Sequence, residues 1–169
     1  MNTSELFKKI KRIQSQLTQG LVEREQTIKL TLLAALAGEH ILLIGPPGTG
    51  KSLVSRRLHL VFQDTPYFER LLTKFSVPLE KDQYTRLTQG YLPQASIAFL
   101  DEIFKANSAI LNALLTLLNE REFDNGVIRE KVPLISVIGA SNELPEDSNL
   151  SALYDRFLFR QYVEPVSKS

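Results

Sequence analysis

Eight consecutive residues constrain this chain more than any others: Gly45, Pro46, Pro47, Gly48, Thr49, Gly50, Lys51 and Ser52. The apolar run His40-Ile41-Leu42-Leu43-Ile44 before them reads as a buried strand over 40–44, and the stretch 53–62, opening at Leu53, reads as a helix. Strand, glycine-rich turn and helix in that order is the setting in which such a turn binds phosphate. The glycines let successive main-chain N–H groups converge on one anion, and the positive end of the following helix faces the same point. Lys51 adds a compact charge for the β- and γ-phosphates of a nucleotide, and Ser52 offers a hydroxyl to Mg²⁺. The competing reading is a chance Gly/Pro turn between a strand and a helix, which would have to match all eight positions and their context.

The rest of the composition narrows the class. A chain of 169 residues with 43% hydrophobic content suits one globular domain over 1–169. The net charge of +1 gives no electrostatic argument for nucleic acid or a membrane surface. With no cysteine, disulfides and thiolate metal sites are excluded. The first residues lack a basic region followed by an apolar one, and no apolar run is long enough to span a bilayer, so a soluble cytoplasmic protein is expected.

Periodicity predicts the elements in order. A helix over 4–18 carries Leu6, Phe7, Ile10, Ile13 and Leu17 on one stripe, capped by Asn2 or Thr3, with Gly20 at its end and a lysine-rich face toward solvent. A second helix over 23–37 carries Ile28, Leu32, Leu33 and Leu36 and stops at Gly38. Past the glycine-rich loop, a strand is expected over 67–72, then an irregular stretch over 76–94. A short strand over 97–100 ends at Asp101-Glu102, and a strongly apolar helix follows, capped by Asn107 or Ser108 and running to Asn119. Asn125-Gly126 inside 121–131 predicts a hairpin with a tight turn. A buried strand over 134–140, a short helix over 150–155 and a last strand over 157–163 complete the chain. Alternating strands and helices imply an α/β fold, a mostly parallel five-stranded sheet with helices on both faces and a small hairpin insertion.

Three polar signals sit just past predicted strand ends: Lys51-Ser52, Asp101-Glu102 and Asn142. In a parallel sheet those ends share one edge, which is where ligands bind. Asp101 suits Mg²⁺ beside Ser52, and Glu102 suits activation of a water as general base. Alone, the acidic pair also reads as the acidic start of a helix, and Asn142 as a common turn residue. Asn142 would otherwise orient the attacking water or contact the γ-phosphate.

These stretches, together with Ala140-Ser141-Asn142-Glu143-Leu144-Pro145 and Leu153-Tyr154-Asp155-Arg156-Phe157, resemble the AAA+ ATPases of the MoxR family, in particular the branch of regulatory ATPase variant A (RavA). Gly20-Leu21-Val22-Glu23-Arg24, Ala34-Ala35-Leu36 and Leu87-Thr88-Gln89-Gly90-Tyr91-Leu92-Pro93 extend the likeness over nearly the whole chain. The resemblance implies ATP hydrolysis with Mg²⁺, a hexameric ring, and chaperone-like remodelling of a partner with a von Willebrand A domain. It implies that Asn142 is the sensor 1 residue and that Arg156 is an arginine finger reaching into a neighbouring subunit. Arg160 is the second choice for that role, and a surface salt bridge of Arg156 with Asp155 or Glu164 is the competing reading. Backbone near Val22 and Glu23 would contact adenine. The phosphate-binding set would run through Gly45, Pro46, Pro47, Gly48, Thr49, Gly50, Lys51, Ser52 and Leu53.

The chain departs from the family pattern twice. The helical lid expected after the last strand is absent before Ser169, so the chain reads as the core half of a longer protein. Between Phe75 and Tyr84 it is shorter than the pattern, with Val77-Pro78-Leu79-Glu80-Lys81 running directly into Asp82 as if residues were missing. Other functions on the same loop are a DNA-acting motor, which the neutral charge disfavours, and a small-molecule kinase, which needs an acceptor site. A nucleotide-binding module that barely hydrolyses alone is a further reading.

Overall fold

The computed structural model describes residues 2–62, 64–71, 92–125, 128–145 and 148–167. Helix α1 (Thr3–Thr18) starts at a capping box: the Asn2 side chain accepts from Ser4 N–H, and Glu5 accepts in return from Asn2 N–H. Helix α2 (Glu25–Leu36) begins later than the expected 23, because Glu23 takes a left-handed conformation with φ 56° that no helix can include. It closes with the N–H groups of Gly38 and Glu39 on the carbonyls of Ala35 and Ala34.

Strand β1 (Ile41–Ile44) leads through the glycine-rich loop to α3 (Lys51–His59), which starts two residues before the expected 53 and tightens into a 3₁₀ turn at Leu60–Phe62. Strands β2 (Tyr67–Leu71) and β3 (Ile97–Asp101) follow, and Leu92–Gln94 forms a 3₁₀ turn just before β3. Helix α4 (Ser108–Glu120) is capped by the Asn107 side chain, which accepts from Ile110 N–H at 3.0 Å. Strands β4 (Glu122–Asn125) and β5 (Ile128–Lys131) pair antiparallel as the expected hairpin, closing at Asn125 opposite Ile128. The turn itself lies outside the described residues, as does the shortened stretch between Phe75 and Tyr84. Strand β6 (Ser136–Ser141), helix α5 (Ser148–Tyr154) and strand β7 (Phe159–Tyr162) end the fold. The last strand starts later than 157, because Phe157 N–H still bonds back to Tyr154 at the close of α5.

The main sheet is parallel throughout, in the order β2-β3-β6-β1-β7. Its central strands β3, β6 and β1 are buried on both faces, which is why β1 reads as an unbroken apolar run, while the edge strands β2 and β7 are partly exposed. Leu42, Ala98, Leu100 and Val137 pack on one face with Leu111, Leu114 and Leu118 of α4 and Leu153 of α5. Ile41, Leu43, Phe99 and Ile138 pack on the other with Leu17 of α1, Ile28 and Leu32 of α2 and Val54 and Leu58 of α3. Two expected stripes are only partly buried. Leu6 and Phe7 of α1, and Leu33 and Leu36 of α2, remain exposed.

Candidate functional site

Register decides which side chains meet. Ile44 pairs with Ser141 and Leu100 with Gly139, so β1, β3 and β6 end at nearly one level. The residues just past those ends are Gly45 and its loop, Glu102, and Asn142. Pro47, Gly48, Thr49, Gly50, Lys51 and Ser52 line one side of a cleft of about 350 Å³. Phe99, Asp101, Glu102 and Asn142 line the other. Three stretches separated by dozens of residues therefore face a single volume.

The loop offers unpaired main-chain donors and one ammonium, a set able to take an anion. Gly45 has φ 149° and its N–H bonds Ser141 O, while the backbone carbonyl of Val163 lies so close that any Cβ at this position would collide with it. Among the described residues, the N–H groups of Gly48, Thr49 and Gly50 have no protein acceptor. Those of Lys51 and Ser52 belong to the first turn of α3, which has no intrahelical partner for them. Lys51 is 7% exposed, and its ammonium donates to Gly45 O at 2.6 Å and Pro46 O at 2.9 Å, with Asn142 Oδ1 at 3.4 Å. Burial lowers its pKa, and the Asp101 carboxylate opposes that shift. A buried ammonium hydrogen-bonded only to neutral oxygens gains from an incoming phosphate.

The acidic side is equally defined. Asp101 is the last residue of β3, and its Oδ1 accepts from Glu102 N–H at 3.0 Å. Glu102 is the N-cap residue of a single 3₁₀ turn, Ile103–Lys105, and α4 begins only at Ser108 with its own cap; Glu102 takes a left-handed conformation, φ 53° and ψ 44°, and its side chain makes no capping bond to that turn. Its Oε1 is 3.0 Å from Lys105 Nζ, and that pairing raises the lysine pKa. Ser52 and Asp101 offer a hydroxyl and a carboxylate, the hard oxygen donors that suit Mg²⁺. Among the described residues no group of three or more His, Cys, Asp and Glu could hold a metal by itself.

Other expected residues lie apart from the cleft lining. Val22 is 61% and Leu53 41% exposed, and Glu23 Oε2 accepts from Ser167 N–H at 3.0 Å. Gly45 and Pro46 shape the loop from behind. Arg156 is exposed just past α5 and, among the described residues, has no ion pair or side-chain hydrogen bond. The bridge to Asp155 belongs to Arg160 at 3.5 Å, which also donates to Tyr154 O and lies over the Tyr154 ring at 4.3 Å. Arg24, which the sequence reading placed in a resembling stretch without giving it a role, is well anchored here. It is buried and donates to three carbonyls, those of Thr49, Glu23 and Glu164. Nothing in its spacing marks it, since its partners are backbone atoms.

Sheet order, loop and acidic strand end define a P-loop ATPase fold of the AAA+ class. A putative ATPase from Cytophaga hutchinsonii superposes with a TM-score of 0.71 at 20% identity, covering 95% of this chain and 52% of that one. NtrX from Brucella abortus in complex with ADP superposes at 0.66 with 19% identity, covering 92% and 39%. The chain belongs to the MoxR family: the family model described as the MoxR domain in MoxR-vWA-beta-propeller ternary systems matches residues 8–169. The uncharacterized protein MJ0079 of Methanocaldococcus jannaschii is 47% identical over 177 residues, covering 96% of this chain and 46% of the relative. The chain thus spans about half the length of the curated relatives it matches. Among the described residues no helix is long and apolar enough to cross a membrane.

Proposed function

We propose that this chain is the ATP-hydrolysing core of a MoxR-type AAA+ ATPase, working in a cytoplasmic hexameric ring that remodels a partner protein. One observation carries the reading: Lys51 and Ser52 share a single cleft with Asp101, Glu102 and Asn142. The N–H groups of the loop and the Lys51 ammonium hold the β- and γ-phosphates and leave the γ-phosphorus facing the acidic side. Ser52 and Asp101 would hold Mg²⁺, which when bound supplies positive charge against the phosphate oxygens. Glu102 accepts a proton from the attacking water, and Asn142 fixes that water or the γ-phosphate by hydrogen bonding. The left-handed backbone of a non-glycine residue at Glu102 costs roughly 1–3 kcal/mol, and such strain concentrates where a side chain must be aimed.

Arg156 is the better finger than Arg160 because it is exposed and uncommitted, whereas Arg160 is held on Tyr154 and Asp155. Acting from outside its own cleft, it completes a neighbour's site, so a lone subunit should turn over slowly. The family's description as one component of a MoxR-vWA-beta-propeller system supports a von Willebrand A domain protein as the partner. The Ser-Asn-Glu-Leu-Pro stretch at 141–145 supports the RavA branch, and the exposed Val22 and Glu23 segment supports an adenine contact.

The test is Glu102→Gln. ATP should bind as tightly as in the native chain, while phosphate release falls by about 10²–10⁴. Native turnover in this variant would remove Glu102 from the mechanism. Unchanged ATP affinity in Lys51→Ala would refute the phosphate-binding reading.

A further inference from the structure

We propose that Arg24 is a positioning residue that locks the Thr49–Gly50 peptide with its N–H turned toward the phosphate cradle, and that it ties this peptide to the chain leaving β7. The inference rests on the nucleotide reading of the cleft.

Arg24 is 6% exposed, and each of its three guanidinium nitrogens donates to a carbonyl oxygen. Nε donates to Thr49 O at 3.0 Å, Nη2 to Glu164 O at 2.8 Å and Nη1 to Glu23 O at 2.7 Å. No carboxylate forms an ion pair with it among the described residues. The hydrogen bonds of the guanidinium thus all go to backbone carbonyls, beside the loop that lines the cleft. A planar fork can meet several carbonyls at fixed angles, and a lysine cannot.

The bond to Thr49 O matters because of peptide geometry. In a trans peptide the C=O and the N–H point to opposite sides. Holding Thr49 O against Arg24 turns Gly50 N–H the other way, and both residues line the cleft. Gly50 has φ 82°, and glycine tolerates either sign of φ, so its own conformational preference does not fix this peptide. The Thr49 hydroxyl is committed elsewhere, donating to Pro46 O at 3.0 Å. Arg24 is the group that sets the orientation.

The same side chain reaches Glu164 O, past the end of β7, where Ser167 N–H also bonds the Glu23 carboxylate. Phosphate in the cradle is thereby linked through one guanidinium to residues 164–167. A shift of the Thr49–Gly50 peptide on binding or release is transmitted to the segment that leads out of the sheet.

The experiment compares the intact protein with Arg24→Lys and Arg24→Gln, titrated with ADP by calorimetry. Labelling with ¹³C′-threonine and ¹⁵N-glycine isolates one amide, because Thr49-Gly50 is the one Thr-Gly step in the sequence. We expect ADP to shift this resonance in the native protein. In Arg24→Lys, which keeps charge and bulk, affinity should fall about 10- to 100-fold. The resonance should also broaden or double without ADP, at a melting temperature close to native. Native affinity with an unchanged resonance in Arg24→Lys overturns the proposal. Loss of folding in both variants makes Arg24 a general packing residue and overturns it too. Failure of the native protein to bind ADP is a different result, and it removes the nucleotide reading itself.

Discussion

His40 should make this fold acid-labile over a defined range. It is 2% exposed at the foot of β1, its Nδ1 accepts from Val137 N–H at 2.9 Å, and its Nε2 faces Arg121 Nη1 at 2.5 Å and Leu118 O at 3.4 Å. Burial, and then the nearby Arg121 guanidinium, lower its pKa from 6.5 to about 3. Protonating Nδ1 would break the bond to Val137 and add a second cation beside Arg121. The unfolded chain binds this proton near pH 6.5 and the folded chain does not until about pH 3. Stability is therefore full above the unfolded value, falls as pH drops through 6.5, and loses nothing further to this group below about 3. At 1.36 kcal/mol per unit, the loss between pH 7 and pH 5 is about 2 kcal/mol, or about 3 kcal/mol by pH 4. Urea unfolding of the native chain and of His40→Asn at pH 7, 6, 5 and 4 measures it. Asn keeps an acceptor near the Nδ1 position but does not titrate, so its stability should fall less with acid by about those amounts. Parallel pH profiles for the two proteins would refute the argument.

Two further perturbations test the site. Gly45→Ala puts a methyl against the Val163 carbonyl at φ 149°, so the loop or β7 must move; we expect about 2–4 kcal/mol of destabilisation by thermal or urea unfolding, with loss of nucleotide binding. Arg156→Ala should leave ATP affinity unchanged and lower turnover about 10³-fold or more, removing any rise of rate per subunit with protein concentration. Arg160→Ala should act mainly through lost contacts at Tyr154, and the reverse ranking in a phosphate-release assay would exchange the two roles.

The sheet was legible because its strands are short apolar runs bounded by strong signals. The Gly-Pro-Pro-Gly turn, Asp101 after Ile97-Ala98-Phe99-Leu100, and Asn142 after β6 each mark a strand end, and parallel pairing then aligns those ends. Helix starts were less legible. The expected start at 23 ignored Glu23, whose backbone is left-handed and whose carboxylate meets the distant Ser167 N–H, a partner that no local pattern encodes. The exposed Leu33, Leu36 and Phe7 misled in the same way, since periodicity shows that a helix has an apolar face but not how far its neighbour extends.

The sequence alone determined the chemistry on offer: a phosphate-binding loop with its lysine and serine, two carboxylates and an asparagine, each tied to a strand end by local hydrophobic pattern. Only the tertiary structure decided which of two nearby arginines is uncommitted, how Glu102 is turned, and that buried Arg24 grips the loop from behind. Those outcomes depend on backbone carbonyls and contacts across the fold. Such partners carry no residue identity of their own, so no pattern in the sequence announces them.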